Sequence, residues 1–529
     1  MGKSHKDQIQ LETTSLGIEL GSTRIKGVLI DSKGNTLASG EFDWENQLED
    51  GIWTYALEDV WKGVQTVFDK VRESVKNQYN VELTTLGSIG FSAMMHGYLA
   101  FDKNDSLLVP FRTWRNATTG PAEKALTALF NHNIPQRWSI AHLYQSVLNE
   151  ESHVKNVSFF TTLAGYVHWQ LTGEKVLGIG DASGMFPIDL DTKNYDQEMI
   201  QKFNTLVKEK GIDWDLSQLL PKSVLAGESA GFLTEKGAQL LDPSGTLKAG
   251  IPFAPPEGDA GTGMVATHAI LPNTGNVSAG TSVFAMIVLE EKLKAVYPEI
   301  DIVTTPLGDL VAMVHVNNCT TEINAWAQLF GDFAKRLGMN LDQGKLYETL
   351  FKSALEADNG LEGILTYGYH SGENITNVSE GRPLVVRKPD VNFTLANFMR
   401  ANIDSAFATL NIGMQILFDE GVRVDAIVGH GGIFKTKGVA QSVVANALES
   451  PVTVMETASE GGAWGMALLA QYLLHKDEQT LFEYLDNEIF NDVKTDTYTP
   501  NKADIETYRA YVKRYVDGLE IEKEAIKRF

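Results

Sequence analysis

Cysteine is almost absent from this 529-residue chain: Cys319 is the only one. A disulfide within the chain is therefore excluded, and so is a zinc site built from several thiolates. Cys319 reads as a small buried apolar residue. Basic residues are scarce beside acidic ones. Lys plus Arg number 45 against 68 Asp plus Glu, a formal charge of −23. That imbalance argues against nucleic acid or an anionic membrane surface as the main partner. It leaves small anions open, because backbone amides bind phosphate without a basic side chain. Long hydrophobic runs are missing too. The longest uncharged stretch, 260–289, is broken by Pro272, Asn273, Asn276 and several glycines, and its purely apolar run is only 283–289. No membrane helix fits there. The opening residues MGKSHKDQIQLETTS hold no apolar signal-peptide segment, and Lys6 stands where N-myristoylation wants Ser or Thr. A soluble, cytoplasmic protein is expected.

Several catalytic signatures are absent as well. There is no Gly-x4-Gly-Lys-Ser/Thr and no His-Glu-x-x-His. The nearest approach to Gly-x-Gly-x-x-Gly is Gly178-Ile179-Gly180, with Ser183 in the last place and no strand-then-helix context expected around it. P-loop and zinc-protease chemistries are thus disfavoured, and a dinucleotide site has weak support.

What is present is ordinary globular composition, 43% apolar and 21% charged. The length suggests about two to four domains. Residues 1–13 are polar and read as a disordered tail. Strand, turn, strand follows, with the turn at Gly21-Ser22-Thr23, and a third strand is expected over 36–42. Val60, Val64, Val67, Phe68 and Val71 recur at helical spacing and predict a helix over 57–77. The next buried strand is expected over 86–91. The opening pattern then recurs at Gly280-Thr281-Ser282, 259 residues after Gly21, and suggests two related halves. Further on, an apolar stripe predicts a helix over 395–420. A strand over 424–428 leads to the turn Gly429-His430-Gly431-Gly432, and helices are predicted over 438–448 and 460–471. The final charged helix carries Tyr508, Tyr511, Tyr515 and Leu519 as its docking face.

Three glycine turns therefore stand beside strands, at 21–23, 280–282 and 429–432. Glycine allows close approach of backbone to a polyphosphate, and hydroxyls at Ser22, Thr23, Thr281 and Ser282 add hydrogen bonds. Each turn also reads as an ordinary hairpin. A fourth element is Pro255-Pro256-Glu257-Gly258-Asp259-Ala260-Gly261. An Asp among glycines either stands bare, where it can accept the proton of a phosphoryl-accepting alcohol, or forms an Asx-turn.

Taken together these segments resemble the FGGY family of carbohydrate kinases, which share the actin-like ATPase fold. The likeness runs over about residues 15–475. The segment from Leu16 through Glu19, Gly21, Ser22 and Thr23 to Lys26 resembles the family's first phosphate motif. Met95-His96-Gly97 is similar to the sugar-contacting Gln-Met-His-Gly of xylulose kinases, and Asp181-Ala182-Ser183-Gly184 to another common stretch. Gly258-Asp259-Ala260-Gly261 matches the segment of the catalytic base, and Ser278-Ala279-Gly280-Thr281-Ser282 the second phosphate motif. Gly429-His430-Gly431-Gly432 and the helix opening at Gly461-Gly462-Ala463 match the adenosine region.

The resemblance implies an α/β fold of two actin-like (ribonuclease H-like) domains flanking a deep catalytic cleft. The N-terminal domain would span 14–270 and hold the sugar and the base. The C-terminal domain would span 271–529, hold ATP and end in the helical tail. It implies Asp259 as the base, and Met95, His96 and Asp181 at the sugar. Gly21, Ser22, Thr23, Lys26, Gly280, Thr281 and Ser282 would serve the phosphates, and Gly431 and Gly432 the adenosine. ATP and Mg2+ are the implied cofactors, with Glu19 acting through Mg2+ or its waters. The expected partners are ATP and a small sugar, with a homodimer left open, and no nucleic acid or membrane. Three departures stand out: Glu19 where the family usually carries Asp, Trp114-Arg115-Asn116 in place of Trp-Asn-Asp, and Ala260 in place of Asn. Xylulose is the expected substrate, and ribulose, another ketose, a polyol or a sugar acid stays open. A non-catalytic sugar or nucleotide sensor and a chaperone-type ATPase on the same fold are the rival readings.

Overall fold

The computed structural model describes residues 9–459 and 461–529. Most of the tail expected to be disordered, residues 1–8, lies outside the described residues, as does Glu460 at the expected start of a helix. Leu11–Thr13 form a 3-10 turn whose Leu11 joins the core, so burial of one leucine orders the end of that tail.

The chain forms two compact units. Of the described residues, 9–270, 301–311 and 461–492 form the first, and 271–300, 312–459 and 493–529 the second. The sequence predicts one division, near residue 270. The later segments return because their partners lie in the first unit. The Thr304 amide donates to Ser183 Oγ at 3.0 Å, and Trp464 Nε1 to the Gly34 carbonyl at 2.8 Å.

The first unit is built on a five-stranded sheet. Its strands are β1 (Ser15–Leu20), β2 (Arg24–Ile30), β3 (Thr36–Asp43), β4 (Ser88–Ala93) and β5 (Glu257–Gly258), in the order β5-β4-β1-β2-β3. β5, β4 and β1 are mutually parallel, and β1, β2 and β3 are antiparallel hairpins. Between β3 and β4 runs α1 (Leu57–Tyr79). Its valines at 60, 64, 67, 71 and 75, with Phe68, make one buried face. Glu58 and Asp59 complement the helix dipole, and Asn80 ends the helix in the left-handed region at φ 58°. β4 is buried along its whole length, as expected for a strand covered on both faces. β5 leads directly into α2 (Asp259–Ala266).

Val176–Gly178 is a strand and Ile179–Ala182 a single helical turn, so the strand-to-helix context not expected at Gly178-Ile179-Gly180 is there. Its start is already filled. The amides of Gly180 and Asp181 donate to the Glu257 carboxylate at 3.3 and 3.0 Å, which leaves no place for a dinucleotide phosphate.

In the second unit, β6 (Thr274–Ala279) and β7 (Val283–Val288) form a hairpin, followed by α3 (Leu395–Asp419), β8 (Ala426–His430), α4 (Ala440–Leu448) and β9 (Val452–Met455). The chain then supplies α5 (Gly461–Tyr472) to the first unit, where Ser15 Oγ donates to Gln471 Oε1 at 2.7 Å and Ser88 Oγ to the Ala470 carbonyl at 2.7 Å. β10 (Thr495–Tyr498) and α6 (Lys502–Arg528) complete the second unit. Five strands run in the order β7-β6-β8-β9-β10, with β6, β8 and β9 parallel. Each unit thus carries a hairpin, β1-β2 or β6-β7, whose first arm runs parallel to a later strand. Among the described residues no helix is long and apolar enough to cross a membrane.

Candidate active site

Parallel strands put their carboxyl ends on one side of a sheet, and the loops that follow collect there. In the first unit β1 ends near Glu19, β4 runs on to Met95 and His96, and β5 runs into Asp259. The register aligns Glu19 with Ser92, and Ser92 with Glu257, so these ends lie level. Four residues expected to act together are therefore gathered by backbone pairing.

Asp259 is the first residue of α2, and its Oδ1 accepts the Met95 amide at 3.2 Å. Part of its side chain meets solvent. The surrounding protein still displaces enough water to push its carboxyl up to about 6, against the pull of the amides of Met95, Ala260 and Asp259 itself. It is thus ionised at neutral pH and available as a base. Glu19 is half-buried, and its carboxyl is pushed up to about 8, first by burial and next by the charge of Asp259. Lys26, its cross-strand partner on β2, opposes that shift. Thr262 Oγ1 approaches Glu19 Oε2 at 3.5 Å.

Met95 and His96 are 6% and 4% exposed, so both belong to the wall of the site and not to open surface. His96 adopts φ 68°, a left-handed backbone that costs about 1–3 kcal/mol for such a residue. Its Nδ1 lies 3.0 Å from the Gly184 carbonyl, which can only accept, so Nδ1 carries the proton. The ring stacks on Trp138 at 6.2 Å. Asp181 is only 1% exposed and sits behind Gly258. Thr162 Oγ1 donates to its Oδ2 at 2.6 Å, while Oδ1 is buried with no hydrogen-bond partner among the described residues. Burial, then Asp259, pushes its carboxyl up to about 8. Glu257 is pushed up to about 8 as well, by burial and by Asp181.

The turn at Gly21, Ser22 and Thr23 is held through its carbonyls. Trp44 Nε1 donates to the Gly21 carbonyl at 2.7 Å and Tyr55 Oη to that of Ser22 at 2.6 Å, with the two rings stacked at 4.2 Å. Trp114 Nε1 reaches Ser22 Oγ at 3.3 Å. Its neighbours serve the fold. Arg115 lies 3.7 Å over the Trp53 ring, and the Asn116 amide accepts from and donates to the Trp53 backbone at 2.8 Å.

In the second unit, parallel pairing of β6 with β8 brings the loops after them together. Gly280 and Thr281 are exposed at the hairpin tip, and Ser282 is half-buried. Thr320, which precedes the helix Thr321–Arg336, donates its amide and Oγ1 to the Gly280 carbonyl at 3.1 and 2.8 Å. The Cys319 amide donates to the Thr281 carbonyl at 2.9 Å. Gly431 has φ 111°, and its backbone lies against the Ala279 carbonyl, so only glycine fits there. Gly432 faces open space where a side chain would stand. His430 is kept neutral, with burial pulling it down to about 4.

One placement differs from the sequence division: the Gly461-Gly462-Ala463 segment, matched to the adenosine region and expected in the C-terminal domain, packs in the first unit, with Gly462 against the Glu19 carboxylate. Glu257, Thr162, Trp138, Trp44 and Tyr55, which hold the site, had no role assigned. Only Glu257, two residues before Asp259, carried a local signal. Among the described residues no group of three or more His, Cys, Asp or Glu could hold a metal ion unaided.

Residues 14–266 match the N-terminal domain of the FGGY family of carbohydrate kinases, and residues 275–474 its C-terminal domain. The xylulose kinase of Haemophilus influenzae is 22% identical over 517 residues, covering 95% of this chain and 99% of that protein. The gluconokinase of Bacillus licheniformis is 22% identical over 519 residues, covering 95% and 94%. Ligand-bound xylulose kinase from Lactobacillus acidophilus shares the fold, with a TM-score of 0.78 at 18% identity over 96% of this chain and 98% of that one. With both domains matched in order along most of its length, the chain belongs to the FGGY family of carbohydrate kinases.

Proposed function

We propose that this carbohydrate kinase transfers the γ-phosphate of ATP to a hydroxyl of a ketopentose such as xylulose, in the cytoplasm. The observation that carries the reading is the meeting of Asp259, ionised and open to solvent, with Met95 and His96 at the ends of β4 and β5. The xylulose kinases among the relatives support the choice of sugar. The similarly distant gluconokinase supports a sugar acid as the second reading.

In this mechanism Asp259 orients the sugar hydroxyl and accepts its proton as the new oxygen–phosphorus bond forms. The bond from the γ-phosphorus to the bridging oxygen breaks, and ADP leaves with that electron pair. Met95 and His96 line the sugar, and Asp181, beside Gly258, shapes the same site. The turns at 21–23 and 280–282 bind phosphate oxygens, with Lys26 adding positive charge. Gly431 and Gly432 leave room for adenosine. Glu19 fits Mg2+ in character, directly or through its waters, because its carboxylate, beside Asp259 and opposed only by Lys26, is short of positive charge. Mg2+ commonly takes one or two carboxylates with phosphate and water oxygens, which suits a site lacking a larger protein ligand set. When bound it would neutralise charge on the phosphates.

A coupled assay of ADP release over xylulose, ribulose, gluconate and glycerol tests this reading. The highest kcat/KM is expected with xylulose. Turnover with gluconate and none with ketopentoses would move the substrate to a sugar acid. Sugar-independent ATP hydrolysis, or sugar binding with no turnover, would remove the kinase assignment.

A further inference from the structure

α5 begins with two glycines, and only the first is explained by its backbone. Gly461 has φ 75°, a left-handed conformation that suits glycine. Gly462 has no such backbone and is the second residue of a helix, where glycine weakens the element relative to alanine. The reason lies in its surroundings. A Cβ on Gly462 would fall on the Glu19 carboxylate, against Oε2, and would also crowd Thr262 Oγ1 at 2.9 Å. The place of the missing side chain is thus taken by the end of Glu19. α5 is itself pinned, through Trp464 to Gly34, Ala470 to Ser88 and Gln471 to Ser15, so it cannot step back to admit a methyl group.

We propose that Gly462 is a positioning residue for the site: the absence of a side chain there sets where the Glu19 carboxylate stands. The two positions form a size-matched pair, a long acid with no facing side chain, and a shorter acid would tolerate alanine. The kinetic part of this rests on the role proposed above for Glu19. The packing part does not.

A cycle of Gly462→Ala, Glu19→Asp and the double variant tests it, read by steady-state kinetics and by thermal unfolding. Gly462→Ala alone should lose about 10- to 100-fold in kcat, the scale for displacement of a site group by about an ångström, with the sugar KM nearly unchanged. In the Glu19→Asp background the same change should leave kcat within about threefold of Glu19→Asp alone, because the shorter acid clears the methyl group. Melting temperatures should separate the two backgrounds. Gly462→Ala should lower Tm by about 2–4 °C beside Glu19 and leave it nearly unchanged beside Asp, where only the Thr262 hydroxyl, 2.9 Å from the added methyl group, has still to shift. Equal effects of Gly462→Ala in both backgrounds, on either readout, overturn the pairing, as does wild-type kcat and Tm for Gly462→Ala. If that single variant does not fold, Glu19→Asp and the double variant decide alone: matching kcat and Tm support the pairing, and a defective double variant overturns it. If the unaltered protein phosphorylates no sugar, the kinase reading fails while the Tm cycle still decides the packing.

Discussion

As the proposed base, Asp259 has to meet two opposed demands. A base must be ionised at working pH, yet basic enough to draw a proton, and a carboxyl near 6 meets both. Asp259→Asn should retain ATP binding and lose at least about 100-fold in turnover. Near-normal turnover would remove it from the mechanism. The same shift sets a pH limit. Asp259 is ionised above about 6 and protonated below it, so kcat/KM should fall toward about tenfold per pH unit as pH drops through that value. A profile flat down to pH 5 would place the proton elsewhere. His96→Ala should raise the sugar KM more than the ATP KM, and equal effects would leave His96 a folding role. Asp259 stands out in the sequence as a carboxylate among glycines, either bare or in an Asx-turn, and in the fold it is exposed. The residues around it were not. Asp181 reaches Glu257 across 76 positions, and only the folded backbone makes them neighbours.

The helices were the most legible elements, since an apolar stripe at helical spacing needs no distant partner to be recognised. α1 was expected over 57–77 and runs Leu57–Tyr79, and α3, expected over 395–420, runs Leu395–Asp419. The aromatic face of α6 is buried as its spacing implies, with Tyr515 only 1% exposed and 4.7 Å from the Tyr367 ring. Tyr515→Ala should therefore cost about 3–5 kcal/mol, read as a lowered urea midpoint. A loss under 1 kcal/mol would mean that α6 is docked by other contacts. Short elements were hidden. The strand Val176–Gly178 and the turn of helix after it are too brief to show a period, and depend on Glu257 filling the helix start. Gly462 reads as part of a nucleotide motif, and its contact with Glu19 left no local sign because Glu19 lies at the far end of the chain.

For the whole molecule, buried acids give stability a pH dependence that the net charge of −23 does not reveal. Burial pushes Asp181 and Glu257 up to about 8 and Glu373 to about 7. Between their ordinary values near 4 and these raised ones, the folded chain holds protons that the unfolded chain gives up. Their stabilising contribution is full at low pH and is lost as pH rises through about 7 to 8. Buried His168, pulled down to about 4, acts oppositely and lowers stability as pH falls below about 6.5. Tm should thus decline from pH 6.5 to 9, and a Tm that climbs over that range would mean these acids are ionised in the folded state. The sequence by itself determined the exclusion of a disulfide within the chain, the long helices and the glycine turns, because composition, period and turn chemistry are local. Tertiary structure decided which segments return to the first unit, which acids are sealed from water and what Gly462 faces. Those depend on contacts between residues remote in the chain, and no local pattern records them.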